Sequence, residues 1–135
     1  MPRVYREMPV NSIWEGSGNI MALDVLRALE RTPEAIEALR AELGPVRGGD
    51  RRLDGFIAEL EAMLRSRPRE AEARRLTEML VLALEGALLV RHAPAAVADA
   101  FCASRLAGWS GAFGTLPAAV DARTVVARAA AQGVA

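Results

Sequence analysis

Apolar residues along this chain recur at helical spacing, in blocks separated by breaks rich in Pro and Gly. The first block opens near Ser17–Asn19, where either polar side chain can cap a helix, and it carries Ile20, Leu23, Leu26 and Leu29 on one face. Thr32-Pro33 restarts a helix, with Thr32 as cap and Pro33 in the first turn that proline favours. Ile36, Leu39 and Leu43 line this second helix, and Gly44-Pro45 ends it. Asp50 caps a third, whose Leu53, Phe56, Ile57, Leu60, Met63 and Leu64 follow the i, i+3, i+4, i+7 template until Ser66-Arg67-Pro68 breaks it. The longest block runs from Glu70 to about Arg91. Between Met79 and Val90 it is apolar nearly all round, the pattern of a bundle's most buried helix. Ala93-Pro94 starts a fifth helix with Val97, Phe101 and Leu106 inward. After the Gly-rich stretch 108–114, a last helix is expected from about Pro117 to Gln132, with Val120, Val125 and Val126 as its large apolar residues. No run alternates as a strand, so the pattern predicts an all-α helical bundle of about five to six helices.

Composition narrows this picture. The 135 residues are 52% hydrophobic and 25% charged, the balance of a globular domain rather than a disordered one. Aromatic residues make up only 4%, which favours helices over strands. Formal net charge is zero, so the whole chain has no electrostatic pull toward nucleic acid or an anionic membrane. All 17 basic residues are Arg, which coding bias toward GC-rich codons explains more simply than a phosphate-binding role. The longest apolar run, near Met79–Leu84, is too short to cross a bilayer, and the first residues show no apolar signal core. Cys102, the single cysteine, cannot form an intrachain disulfide, and its Ala and Phe neighbours suggest a buried thiol. A reducing, cytoplasmic setting is expected.

Candidate chemistry gathers at Trp14-Glu15-Gly16-Ser17-Gly18-Asn19, where one carboxylate stands between an aromatic residue and a Gly-Ser-Gly turn. Gly16 and Gly18 allow close backbone approach to a ligand, and the helix that follows offers free N–H groups to an anion. Trp14 can desolvate a neighbouring carboxylate and raise its pKa. Read from the residues alone, Glu15 is a charge in a favourable position at a helix start, Ser17 and Asn19 are caps, and Trp14 is a pocket wall or a core anchor. Trp109 and Phe113 can stack on a base or flavin, or clamp a loop. Arginines cluster at Arg65, Arg67, Arg69, Arg74 and Arg75 but are diluted by Glu70 and Glu72, and charge alone makes them solvated helix faces. No metal-ligand spacing, nucleophile elbow or phosphate-binding loop is present in the sequence.

The run Ile13-Trp14-Glu15-Gly16-Ser17-Gly18-Asn19-Ile20 resembles the aromatic-Glu-Gly-Thr/Ser-x-Asn/Gln-Ile turn of the acyl-CoA dehydrogenase flavoproteins. Met8 to Met21 is similar to the AidB-like branch of that family, which belongs to the bacterial adaptive response to DNA alkylation. The strong part of the resemblance covers roughly the first thirty residues. It implies a C-terminal helical bundle, with residues 1–18 as an extended lead-in and active-site-like turn and 19–135 as the bundle. It implies that Glu15 stands where the family's base removes a proton α to a thioester carbonyl while the flavin accepts a hydride. Trp14, Gly16, Ser17 and Asn19 then match positions that contact FAD. The substrate would be of the acyl-CoA type, and a homo-oligomer, a tetramer in the family, is expected.

The family's N-terminal and β domains, which complete the pocket, are expected to be missing here, so little catalytic activity and little FAD retention are expected of these 135 residues alone. The same resemblance implies an alternative: a helical module that contacts double-stranded DNA through Arg27, Arg123 and Arg128, with little redox activity. A plain helical interaction or oligomerisation domain is the third possibility.

Overall fold

A computed structural model describes residues 6–12, 17–108, 117 and 119–129. Six α-helices lie among them: α1 Gly18–Arg31, α2 Glu34–Leu43, α3 Arg51–Arg65, α4 Ala73–His92, α5 Ala95–Phe101 and α6 Ala122–Ala129. No strand occurs among the described residues, and the expected all-α bundle is borne out. Short 3-10 turns at Gly44–Val46 and Glu70–Glu72 join the helices, and α5 runs on into a π-helical turn, Cys102–Leu106.

The bundle is organised around α4, which packs most extensively on α1 and α3 and also meets α2 and α5. Its inward positions are small or slender: Ala73, Leu76, Met79, Ala83, Gly86 and Ala87 are all buried. Small residues let the neighbouring helices approach closely, and Leu26, Leu43, Leu53, Ile57 and Leu60 fill the space between them. Gly86 marks a close approach of α3 to α4. A Cβ there would lie 3.0 Å from Leu53 Cδ1 and 3.4 Å from Leu106 Cδ1.

The Asp50 cap forms as expected, its Oδ1 accepting from the backbone N–H groups of Arg52 at 2.8 Å and Leu53 at 3.3 Å. The same carboxylate is held by the Arg52 guanidinium, which also reaches Asp99 on α5 at 2.7 Å. One cap thus starts α3 and ties it to α5.

Several expectations need correction. Ile20 was expected inward but is 55% exposed, because α1 turns Ala22 and Leu26 to the core and leaves its first turn outside. α4 is not buried all round: Val81 and Leu88 are each 48% exposed, since its partners among the described residues cover only part of its circumference. Thr32 does not cap α2. Its backbone N–H closes α1 on the Ala28 carbonyl at 2.9 Å, and Pro33 takes the N-cap position. The last helix starts at Ala122 rather than near Pro117, after Asp121 accepts from the Thr124 N–H at 3.1 Å and its hydroxyl at 2.6 Å. Val126 on that helix is 66% exposed.

Candidate functional site

Ser17 and Gly18 lead the chain into α1. Ser17 takes the N-cap position with extended backbone (φ −69°, ψ 150°), but its side chain makes no capping bond. Neither it nor Asn19 therefore caps the helix through its side chain, contrary to expectation. The first i→i−4 bond runs from the Met21 N–H to the Ser17 carbonyl at 3.1 Å. The N–H groups of Gly18, Asn19 and Ile20 therefore have no partner within the helix. Among the described residues, a Cβ at Gly18 would meet nothing within 4 Å.

Asn19 is engaged from elsewhere in the fold. Its Oδ1 accepts a 3.1 Å hydrogen bond from Nη1 of Arg74, on the first turn of α4. In the sequence, Arg74 stands in a run of arginines diluted by Glu70 and Glu72. Its neighbours four residues away on either side, Glu70 and Glu78, are carboxylates, so the local pattern points to ordinary helix-face pairs. Only the tertiary structure shows the contact with a residue 55 positions away. Glu15, Trp14 and Gly16 lie outside the described residues, as do Trp109 and Phe113.

The three candidate DNA contacts stand on two helices, α1 and α6. Arg27 is paired within α1 to Asp24 at 2.9 Å, both side chains being more than half exposed. Arg123 and Arg128 stand on α6. Basic charge concentrates elsewhere, around Glu61, where Arg40, Arg47 and Arg65 line a hollow of about 490 Å³. Those arginines hold the Glu61 carboxyl below the usual carboxylate range, the hydrogen bonds from Arg40 doing most.

Two further hollows occur. One of about 780 Å³ has an apolar floor of Leu26, Leu64 and Leu76 and is edged by Arg67, whose φ is +54°. The other, about 450 Å³, lies against the π-turn between Glu59, Arg75, Glu78 and Arg105. Cys102 is fully buried, and burial pushes its thiol up to about 11. It behaves as the expected small hydrophobe. Among the described residues no three His, Cys, Asp or Glu side chains come together as metal ligands, and no helix is long and apolar enough to cross a membrane.

The described residues form a helical bundle, and the chain belongs to the acyl-CoA dehydrogenase family, in its AidB-like branch. Over 102 residues, 76% of its own length, it is 45% identical to AidB of Escherichia coli (strain K12), a protein assigned to the acyl-CoA dehydrogenases. The chain spans 19% of that relative's length. No family model matches it.

Proposed function

We propose that this chain is the base-bearing segment of an FAD-dependent oxidoreductase of the acyl-CoA dehydrogenase type. The observation that carries the reading is the 45% identity to AidB together with the Trp14-Glu15-Gly16-Ser17-Gly18-Asn19 sequence leading into α1. Glu15 is the base, taking the proton α to a thioester carbonyl. A carboxylate suits that role when a dry, apolar wall raises its pKa toward the working pH, and Trp14 is placed in sequence to supply such a wall. FAD, if bound beside this turn, would supply the acceptor for the hydride from the substrate's β-carbon.

The described residues fit one edge of such a cofactor. The N–H groups of Gly18, Asn19 and Ile20 and the Asn19 amide supply donors, and no described atom crowds the Cβ position of Gly18. Gly16 and Ser17 complete the contact, and the chain works as part of a homo-oligomer on an acyl-CoA-type substrate.

The experiment is a comparison of Glu15→Gln with the parent sequence, both carried in a flavoprotein that supplies the remaining domains. Loss of acyl-CoA-dependent flavin bleaching with FAD content unchanged is expected. Full bleaching by the variant would remove Glu15 as the base.

The alternative, a module for double-stranded DNA using Arg27, Arg123 and Arg128, has less behind it. The chain's formal net charge is zero, and Arg27 shares its charge with Asp24. A mobility-shift series across salt concentrations discriminates, since phosphate contacts lose affinity steeply as salt rises.

A further inference from the structure

We propose that Arg74 is a positioning residue for the cofactor turn, an inference that rests on the reading of Asn19 as an FAD contact. Its guanidinium donates from Nη1 to Asn19 Oδ1 at 3.1 Å, joining the first turns of α4 and α1. A guanidinium carries donors only, whereas an asparagine amide has an acceptor end and a donor end. Pairing with Arg74 therefore decides which end faces which way. Oδ1 is turned to Arg74, and Nδ2 is turned away from it as a donor.

Arg74 makes no ion pair among the described residues, although Glu70 and Glu78 stand four residues to either side of it on α4 and its connecting turn. Its charge is committed to Asn19 rather than to its own helix. Asn19 in turn makes no cap for α1, so a purely local role does not account for it. The Asn19 Nδ2 joins the N–H groups of the first turn, which have no partner within the helix, as a set of donors, the complement of a cofactor rich in phosphate and carbonyl acceptors. Arg74 acts through Asn19 and does not itself touch the reacting atoms.

The test uses the sequence carried, segmentally isotope-labelled, in a flavoprotein that supplies the remaining domains, with FAD titrated into the apo form and amide shifts followed by NMR. In the apo chain the Asn19 side-chain amide should show one rotamer, averaged in Arg74→Ala. With FAD, Asn19→Ala and Arg74→Ala should each weaken binding about tenfold, the worth of one hydrogen bond to a charged group. The double variant should be no weaker than either alone.

Asn19→Asp separates positioning from support. It keeps or strengthens the pair with Arg74, so the melting temperature holds or rises, yet it removes the donor and should weaken FAD as much as Asn19→Ala does. Arg74→Lys, which restores a donor, should recover most of the affinity. Arg75→Ala, one residue along the helix, should change nothing.

FAD shifts weakened by Asn19→Ala but untouched by Arg74→Ala would overturn this inference alone. An unchanged affinity in Asn19→Asp would overturn it as well. No FAD-dependent shift at Gly18–Ile20 would overturn the cofactor reading and this inference together, while an Asn19 rotamer that responds to Arg74→Ala would still establish the contact between them.

Discussion

The guanidinium of Arg40 grips both carboxylate oxygens of Glu61, with Nε at 3.0 and 3.2 Å and Nη2 at 2.9 Å, and so joins α2 to α3. The two residues are 21 positions apart, and Glu61 is the more enclosed of the two. Bidentate pairing of this kind is stronger and more directional than a single surface contact.

Glu61→Gln should lower the melting temperature at neutral pH, and the loss should depend on pH. The Glu61 carboxyl titrates below its ordinary value in the folded chain, chiefly through the Arg40 hydrogen bonds. A depressed carboxyl stabilises the fold above its unfolded pKa, and that contribution disappears as pH falls through the folded value. Thermal melts of parent and variant should therefore differ most near neutrality and converge in acid. A difference independent of pH would show that the pair's charge contributes nothing.

Asp50→Ala should destabilise the chain by about 1 kcal/mol through the lost cap of α3, and by more where the tie to α5 matters. Asp50 accepts from the backbone of Arg52 and Leu53, while the Arg52 guanidinium bridges it to Asp99. Asp99→Ala should cost less, because it leaves the cap intact. Urea unfolding of both variants checks the order, and an equal loss for the two would contradict it.

Gly86 is a site where size should matter more than helix propensity. Gly86→Ala gains about 1 kcal/mol of intrinsic helix preference but presses a methyl against the end of Leu53, so it should come out near neutral. Gly86→Val has no such room and should destabilise by about 1–3 kcal/mol. Chemical denaturation of the pair measures the contrast; a stabilising valine would mean that the close approach of α3 and α4 is absent.

The Cys102 thiol should resist thiol reagents in the native chain and react only on unfolding, since it is buried and titrates near 11. Its sign on stability is opposite to that of Glu61. The unfolded thiol ionises first as pH rises, so stability should fall between about pH 9 and 11. Cys102→Ala should flatten that decline. Rapid labelling of the folded chain at neutral pH would refute the burial.

The sequence by itself determined the fold class, the third helix with its Asp50 cap, the central place of α4, the buried thiol and the motif that names the family. Each depends on local rules: the 3.6-residue period, a polar side chain one position before a helix, a proline or glycine break, and a short run of particular residues. Tertiary structure alone decided the rest. Periodicity says which residues can share a face but not whether a partner covers it, so Ile20 on the apolar face of α1, and Val81 and Leu88 in the apolar stretch of α4, are all exposed. Thr32 and Asn19 look like caps by composition, yet cap geometry depends on how the chain enters each helix, and neither side chain takes that role. The pairing of Arg74 with Asn19 spans 55 residues. It depends on how α1 and α4 come together, and no local pattern encodes a contact between side chains on two different helices.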